Sequence, residues 1–346
     1  MRKPDAKVGS RVLSAMIPAV VCFVLAAVFV RLLAKSSLSK AAMDIPNERS
    51  LHVTPVPRTG GLGLLGAAAV GWAAWAAWDL ASVVGLAALL SAVAFVDDRI
   101  SLPVRTRLVV QIAAAVAFLA IAYAGPLLLL PLAFCALLWM ANLYNFMDGS
   151  DGLAGGMTVA GFGAYALAAS WSDAHALSVL SACIAGAAGG FLIWNFHRAS
   201  VFMGDSGSVP LGFLAAALGI LGWQDGVWPF WFPVLVFSPF ILDASVTLAK
   251  RFARGERLTQ AHKTHYYQRA LRMGLGHRGT AIASYVLMSA VALSALAARE
   301  WDAVPVALML AFWAVVFAGL MMLIDRRWDD FSRATAEKMP GAVGPG

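Results

Sequence analysis

The chain has 346 residues, of which 60% are hydrophobic and only 13% are charged. A soluble domain carries roughly 25% charged residues, so this composition excludes a soluble globular protein and predicts an integral membrane protein. The net charge of +7 at pH 7 does not indicate a nucleic-acid partner, because the basic residues lie in the joins between apolar runs. The three cysteines lie inside apolar runs without C-x-x-C spacing, which argues against a disulfide framework and a zinc site.

Apolar runs follow one another along the chain, each near the ~20 residues that cross a bilayer as a helix. They predict an all-α, polytopic integral membrane protein with about eleven (ten or eleven) transmembrane helices. The predicted spans are 12–33, 60–78, 80–96, 107–124, 126–145, 152–171, 175–195, 208–223, 228–249, 280–298 and 303–324. We expect one membrane-embedded domain over 1–346, in which the bundle 12–324 lies between an N-terminal tail, 1–11, and a C-terminal tail, 325–346.

The hydrophilic joins between the spans differ in charge from one side of the membrane to the other. Lys and Arg are concentrated in 34–59, 97–106, 196–207, 250–279 and the C-terminal tail, and the join 146–151 lies on the same side. The opposite joins contain Arg299 as their single basic residue. By the positive-inside rule, the basic class faces the cytoplasm. The basic N-terminal tail is an exception, since an odd number of spans places it outside, and we expect the bias of the later joins to override it.

The first polar stretches in chain order are a loop and a pair of carboxylates. Residues 44–61 read D-I-P-N-E-R-S-L-H-V-T-P-V-P-R-T-G-G, in which Arg49, His52 and Arg58 can donate to phosphate. A positively charged tether at the lipid headgroups is the alternative for this loop. Asp97 and Asp98 then end the third span, where adjacent carboxylates are costly unless they serve a metal, a proton transfer or a charge partner. Simple interfacial charges are the alternative there.

The stretch 142–156 reads N-L-Y-N-F-M-D-G-S-D-G-L-A-G-G and joins two hydrophobic runs. Asp148 and Asp151 are three residues apart, so in a helical turn they would share a face. The glycines allow a ligand or a neighbouring backbone to come close. Carboxylates beside amide oxygens suit a hard cation such as Mg²⁺. The alternative is a glycine-rich turn whose aspartates cap the following helix.

Two more polar stretches follow. Residues 202–208, F-M-G-D-S-G-S, place Asp205 between glycines just before the eighth span, where it could also be a helix cap. In the longest loop, 261–272, the basic residues His262, His265, Arg269 and Arg272 recur at spacings of three and four. One helical face would then carry four basic groups and suit a polyanion. The alternative is a patch that binds lipid headgroups.

These polar stretches all lie on the basic side, which indicates an enzyme that handles a soluble, phosphate-bearing substrate at the inner face of the membrane. A multi-pass transporter of an anionic solute is the alternative function. A transporter would place polar residues near the middle of the membrane, in broken helices. Asp243, in S-P-F-I-L-D-A-S, is the one candidate of that kind.

In this order, the motifs resemble the polyprenyl-phosphate N-acetylhexosamine-1-phosphate transferase family (glycosyltransferase family 4). The resemblance runs from Asp44 to about His277 and rests on D-x-P-x-x-R-S-x-H-x-x-P-x-P-R-x-G-G, D-D-R, N-x-x-N-x-x-D-G-x-D-G-L-A-G-G, G-D-S-G-S, P-x-x-x-D and the histidine loop. It implies ten or eleven helices in the bacterial inner membrane, with the active site on the cytoplasmic face. The implied reaction moves a sugar-1-phosphate from a UDP-N-acetylhexosamine to undecaprenyl phosphate and releases UMP. The resemblance also allows a homodimer.

The resemblance assigns roles to individual residues. The candidate catalytic residues are Asp97, Asp98, Asp205, His262, His265 and Arg269. The candidate substrate-binding residues are Arg49, His52, Arg58, Asn142, Asn145, Asp148, Asp151 and Gly152. Mg²⁺, with Mn²⁺ as a substitute, would be held by Asp205, Asn145 and Asp98. Because a phosphate monoester is largely ionised at neutral pH, Asp97 could orient the acceptor instead of acting as a base.

The last loop departs from the family pattern. Many relatives have H-x-H-H or H-H-H, whereas this chain has H-K-T-H followed by Y-Y-Q-R. That difference resembles the branch that starts O-antigen and related surface polysaccharides more than the peptidoglycan branch. The sugar stays open between N-acetylglucosamine, N-acetylfucosamine, N-acetylquinovosamine and another 6-deoxy sugar.

Overall fold

The computed structural model describes residues 6–40, 42–45, 55–75, 78–257 and 262–338, and it is helical throughout apart from one pair of short strands. The helices are α1 Ala6–Lys35, α2 Ser37–Lys40, α3 Gly60–Trp75, α4 Ala81–Ile100, α5 Val104–Ala122, α6 Leu130–Phe146, α7 Leu153–Trp171, α8 His175–Asn195, α9 Asp205–Gln224, α10 Trp231–Val236, α11 Ser238–Ala253, α12 Tyr266–Ala270, α13 Gly276–Ala298 and α14 Ala303–Lys338. The strands β1 Met43–Asp44 and β2 Val56–Pro57 pair antiparallel. A π-helical turn, Leu271–Leu275, joins α12 to α13.

Nine helices among the described residues are long and apolar enough to cross a membrane. The prediction of an all-α, multi-pass membrane protein is therefore confirmed, while the count of eleven spans is not. The predicted span 60–78 is the 16-residue helix α3. The predicted span 228–249 is interrupted at Phe237, between α10 and α11. Pro239, in the first turn of α11, explains the interruption, since proline lacks the N–H that would bond to the carbonyl of Leu235 and its ring crowds that carbonyl.

Helix α9 runs through the centre of the bundle, and most of its residues are buried. Glycines let the neighbouring backbones approach it closely, as is common where membrane helices pack. A Cβ added at Gly61 of α3 would lie 2.3 Å from the Cα of Gly207, and one added at Gly212 would lie 2.1 Å from the carbonyl oxygen of Met140 in α6. These contacts fix the depth of α9, and therefore the position of its first residue, Asp205.

The loop before α9 is paired with the loop before α3. Phe202 N–H donates to the carbonyl oxygen of Pro57, and Gly60 N–H donates back to that of Phe202, both at 2.9 Å. Gly204 then turns the chain into α9 with a φ of +74°, in the region that favours glycine. This pairing places Arg58 beside the N-terminus of α9.

Candidate active site

Four aspartates converge at one end of the bundle, and we call Asp97, Asp98, Asp148 and Asp205 the carboxylate cluster. Asp97 and Asp98 end α4, Asp205 begins α9, and Asp148 lies in the loop between α6 and α7. The middle of α4 is joined directly to the first turn of α9, because Ser91 Oγ donates to the carbonyl oxygen of Ser206 at 2.7 Å. Residues that are up to 108 positions apart in the chain therefore form one acidic site.

Two arginines balance part of this negative charge. Arg107, in the first turn of α5, lies with Nη1 3.1 Å from Asp97 Oδ2 and 3.7 Å from Asp205 Oδ2. Arg58 donates from Nη2 to Asp44 Oδ1 at 2.7 Å, and its Nη1 lies 3.9 Å from Asp98 Oδ1. Sequence reasoning missed Arg107, because it stands at the first position of the predicted span 107–124. Its basic charge next to the join 97–106 was the available signal.

The two adjacent aspartates of α4 have different surroundings. Asp97 accepts from the backbone N–H of Leu102 at 2.6 Å and from Arg107, so its carboxylate is held in one orientation. Asp98 accepts from the backbone N–H of Ser206 at 3.4 Å, and only 2% of its side chain is exposed. Asp98 therefore stabilises the N-terminus of α9, where the helix dipole favours a negative charge. This burial makes Asp98 a less accessible metal ligand than Asp205.

Asp148 lies behind Asp205, outside the membrane-spanning segments. Burial raises the pKa of Asp148 well above the ordinary value of an aspartate, and the neighbouring charge of Asp205 raises it further. Arg58 and the backbone N–H of Gly204 act in the opposite direction, since they lower this pKa. A carboxylate that is desolvated beside other carboxylates is stabilised in its ionised form by a cation.

Oxygen donors suited to a divalent cation are present around Asp205. The side chain of Asn145 lies next to that of Asp205. In the part of the chain that the structure describes, no three His, Cys, Asp or Glu side chains form a metal cluster by themselves. A cation at Asp205 and Asn145 would therefore take its remaining ligands from water or substrate. Mg²⁺ is bound in this way at many sites, through one or two carboxylates plus substrate phosphates.

A groove with a volume of about 910 Å³ opens beside the carboxylate cluster. Its polar lining comprises Asp97, Arg107, Gln111, Asn142, Asn145, Asp205, His262, His265 and Gln268. Its apolar lining comes mainly from α4, α5 and α6 and includes Leu90, Val93, Leu108, Val110, Leu138 and Trp139. The groove therefore combines basic side chains, carboxylate oxygens and amide oxygens with a long apolar wall.

The histidine loop forms part of the groove through His262 and His265. Asp243 in α11 holds the start of α12, because it accepts from the backbone N–H groups of Tyr266 and Tyr267, both at 2.9 Å. His265 Nδ1 lies 3.2 Å from the same carboxylate. Since an ionised carboxylate only accepts, His265 donates from Nδ1 and keeps Nε2 for another partner. Asp243, which a transporter would need for solute, is thus engaged by the histidine loop.

The prediction that the four basic residues of this loop share one helical face is wrong. Helix α12 begins at Tyr266, after both histidines, and a π-helical turn begins at Leu271. Arg269 does not line the groove, and its Nη1 donates to Asp325 Oδ1 at 2.8 Å. This placement does not support a direct contact between Arg269 and substrate.

A second polar group, which we call the histidine cluster, consists of Ser150, Asp151, His197 and His277. Asp151 Oδ2 lies 3.0 Å from His197 Nδ1, and His277 Nδ1 lies 3.1 Å from Ser150 Oγ. The two imidazole rings stack with their centroids 5.8 Å apart. Sequence reasoning missed His197 and His277, although both stand in basic joins.

The structure therefore separates residues that the sequence places together. Asp148 and Asp151 do not share a helical face, because α6 ends at Phe146 and α7 begins at Leu153. Gly152, with a φ of +76°, donates its N–H to Asn195 Oδ1 beside the histidine cluster. Asn142 donates to Gln111 Oε1 and lines the groove. Two further predicted residues, Arg49 and His52, lie outside the described residues.

Comparison with known proteins extends over most of the chain. Residues 80–223 match the family described as Glycosyl transferase family 4. The chain is 30% identical over 340 residues to decaprenyl-phosphate N-acetylglucosaminephosphotransferase of Mycobacterium tuberculosis (strain H37Rv), with 84% of each chain covered. It is 25% identical over 345 residues to a probable undecaprenyl-phosphate N-acetylglucosaminyl 1-phosphate transferase of Bacillus subtilis (strain 168), covering 92% of this chain and 96% of the relative. An undecaprenyl-phosphate alpha-N-acetylglucosaminyl 1-phosphate transferase of Yersinia pestis is 24% identical over 330 residues, with 88% and 90% covered.

Proposed function

Because the chain belongs to glycosyl transferase family 4, among the polyprenyl-phosphate hexosamine-1-phosphate transferases, we propose that it transfers an N-acetylhexosamine-1-phosphate from a UDP-sugar to undecaprenyl phosphate. The groove carries this proposal, since Asp205, Asn145 and His265 lie at one end and an apolar wall follows. A water-soluble diphosphate and a lipid phosphate need these two surroundings side by side.

The acceptor matches the apolar part of the groove. A polyprenyl chain is a branched hydrocarbon, so the side chains of α4, α5 and α6 would bind it by removing apolar surface from water. Arg107, at the polar end of that wall, is the cation nearest to where the lipid phosphate would lie. Mutation of the wall would therefore weaken lipid binding, and mutation of Arg107 would misplace the phosphate.

The reaction needs positioning and charge neutralisation more than acid–base chemistry. A phosphate oxygen of the acceptor forms a bond to the phosphorus that carries the sugar, and the bond between that phosphorus and the bridging oxygen breaks. The electron pair leaves with the bridging oxygen on UMP. The attacking oxygen is already ionised at neutral pH, so Asp97 would orient the acceptor through Arg107. His265 would donate to the diphosphate as charge moves toward UMP.

The donor set around Asp205 fits a magnesium ion. Asp205 and Asn145 would hold it, with Asp98 as a weaker candidate because of its burial. Bound there, Mg²⁺ would neutralise diphosphate charge, and Mn²⁺ would be a substitute. Mg²⁺ bound there would also favour the ionised form of Asp148, whose carboxyl group is desolvated near Asp205.

N-acetylglucosamine is the first candidate sugar, since it appears in the names of the three relatives above. The active site would face the cytoplasm of a bacterial inner membrane, where the basic joins lie. The lipid-linked product would start O-antigen or another cell-envelope polysaccharide. A homodimer is compatible with this arrangement.

The test uses the full chain in lipid nanodiscs with undecaprenyl phosphate, Mg²⁺ and a panel of UDP-N-acetylhexosamines. We expect UMP release equal to the lipid-linked sugar formed, with at least one donor, and no release when the acceptor is omitted or the metal is chelated. Uptake of an anionic solute into proteoliposomes without UMP release would instead support the transporter.

A further inference from the structure

The last helix reaches well beyond the apolar layer. Helix α14 has 36 residues, or about 54 Å at 1.5 Å per residue, whereas the hydrocarbon core is about 30 Å thick. Its apolar run 303–324 ends at Asp325, and the helix continues to Lys338. Part of the predicted C-terminal tail is therefore a rigid extension on the side of the histidine loop.

Asp325 joins this extension to two other helices. Its Oδ2 accepts from Lys250 Nζ in α11 at 2.5 Å and from the hydroxyl of Tyr266 at 3.2 Å. Its Oδ1 accepts from Arg269 Nη1 in α12 at 2.8 Å. One carboxylate thus pairs with two cations that would otherwise repel each other across the α11–α12 junction.

Trp328, one turn further along α14, completes this contact. The guanidinium carbon of Arg269 lies 5.4 Å from the ring centroid of Tyr266 and 5.7 Å from that of Trp328. Arg272 lies 4.8 Å from the centroid of Trp328. All three distances are in the range of cation–π attraction. Only 7% of the Arg269 side chain is exposed, and its guanidinium group contacts Asp325 and Trp328 of α14.

Helix α12 connects Arg269 to the groove, because its residues contact both His265 and Phe146. Arg269 N–H donates to the carbonyl oxygen of His265 at 3.0 Å. The Tyr267 hydroxyl donates to the carbonyl oxygen of Phe146 at 3.1 Å, and the His265 ring stacks on Phe146 with centroids 6.2 Å apart. Phe146 is the residue after Asn145. Asp243 fixes the start of α12, and Asp325 fixes its last turn.

We propose that Asp325 is a positioning residue for the transfer reaction: it holds α12 through Arg269 and Lys250 so that His265 stays in register with Asn145 and Asp205. This assignment rests on the proposed function. Removal of the carboxylate leaves the buried guanidinium of Arg269 unpaired and next to Lys250, so α12 shifts or frays. His265 then loses its alignment with the diphosphate, while Asn145 and Asp205 stay in place.

The test compares Asp325→Asn with Asp330→Asn, which makes the same change at an exposed position on the same helix. We expect Asp325→Asn to lower kcat about tenfold with a change in UDP-sugar KM below twofold, because His265 acts on charge that develops in the transition state. Asp325→Glu keeps the carboxylate and should recover most of kcat. Asp330→Asn should match the wild type.

Hydrogen exchange of the same full-length proteins gives a readout that does not depend on activity. Exchange in peptide 262–272 should be faster in Asp325→Asn than in the wild type and Asp330→Asn, while peptide 205–224 is unchanged. Unchanged kcat and unchanged exchange would overturn the proposal. A general loss of folded protein in both Asp325→Asn and Asp325→Glu would also overturn it, because the residue would then be needed for folding alone. If the wild type releases no UMP, the proposed function fails, whereas the exchange comparison still decides whether Asp325 holds α12.

Discussion

Asp205 is the residue on which the proposed site depends most. It begins α9, lies next to Asn145 and lines the groove. We predict that Asp205→Asn lowers the rate of UMP release at least about a hundredfold at saturating Mg²⁺, a loss of ~2.7 kcal/mol or more in transition-state stabilisation. An amide keeps the shape but removes the charge that binds a divalent cation against water.

Asp225→Asn is the matched control, because it makes the same change at the exposed opposite end of α9. Both variants should elute as folded protein in size-exclusion chromatography. Near wild-type turnover of Asp205→Asn in low millimolar Mg²⁺ would remove Asp205 from the metal site.

Arg107 is the second residue whose role follows from geometry. It lies between Asp97 and Asp205, so its loss leaves two carboxylates repelling each other beside the groove. We predict that Arg107→Gln lowers kcat/KM for the lipid acceptor roughly ten- to a hundredfold, or ~1.4 to 2.7 kcal/mol. Arg105→Gln, at an exposed position two residues earlier, should have little effect. Equal effects of the two variants would indicate general attraction to the membrane surface.

At the scale of elements, the close crossing of α3 and α9 sets the position of the site. A Cβ added at Gly207 would lie 2.6 Å from the Cα of Gly61, closer than real contacts allow. We predict that Gly207→Ala destabilises the protein by about 1–3 kcal/mol, as overpacking usually does, and lowers activity through Asp205.

Thermal unfolding followed in detergent measures this effect. Gly163→Ala is the control, since an added Cβ at Gly163 would meet open space. A melting temperature of Gly207→Ala equal to that of Gly163→Ala would show that the helices can separate without cost.

The elements also show how much the sequence can predict. Hydropathy predicted most of the spans, because each helix must satisfy its own backbone in the membrane. The order of the motifs, and the side of the membrane on which their joins lie, predicted that Asp98, Asn145 and Asp205 would lie at the same face of the membrane. The prediction of a shared helical face was wrong for Asp148 with Asp151 and for His265 with Arg269, because those segments are loops and short turns. His197 pairs with a side chain 46 positions away, and Asp325 pairs with side chains 56 and 75 positions away, which no local pattern indicates.

For the whole molecule, the charge asymmetry predicts one orientation. Helix α9 spans about 30 Å with Asp205 at one end and Asp225 just after the other. We predict that, in a background without the three native cysteines, Arg198→Cys is labelled by thiol reagents only from the cytoplasm. Asp225→Cys should be labelled only from outside. Both positions are exposed, so labelling of Arg198→Cys from outside would contradict the cytoplasmic site.

The central claim is that the sugar moves together with its phosphate. The measurement is transfer from UDP-N-acetylglucosamine labelled with ³²P at the phosphate attached to the sugar, or from the donor that the panel identifies as active, with undecaprenyl phosphate in nanodiscs. The account predicts that the label is extracted with the lipid while unlabelled UMP is released in equal amount, and that Asp205→Asn abolishes both. Label that remains in the nucleotide, as UDP, while the lipid gains sugar would contradict it, because the glycosidic bond would then be the one that breaks.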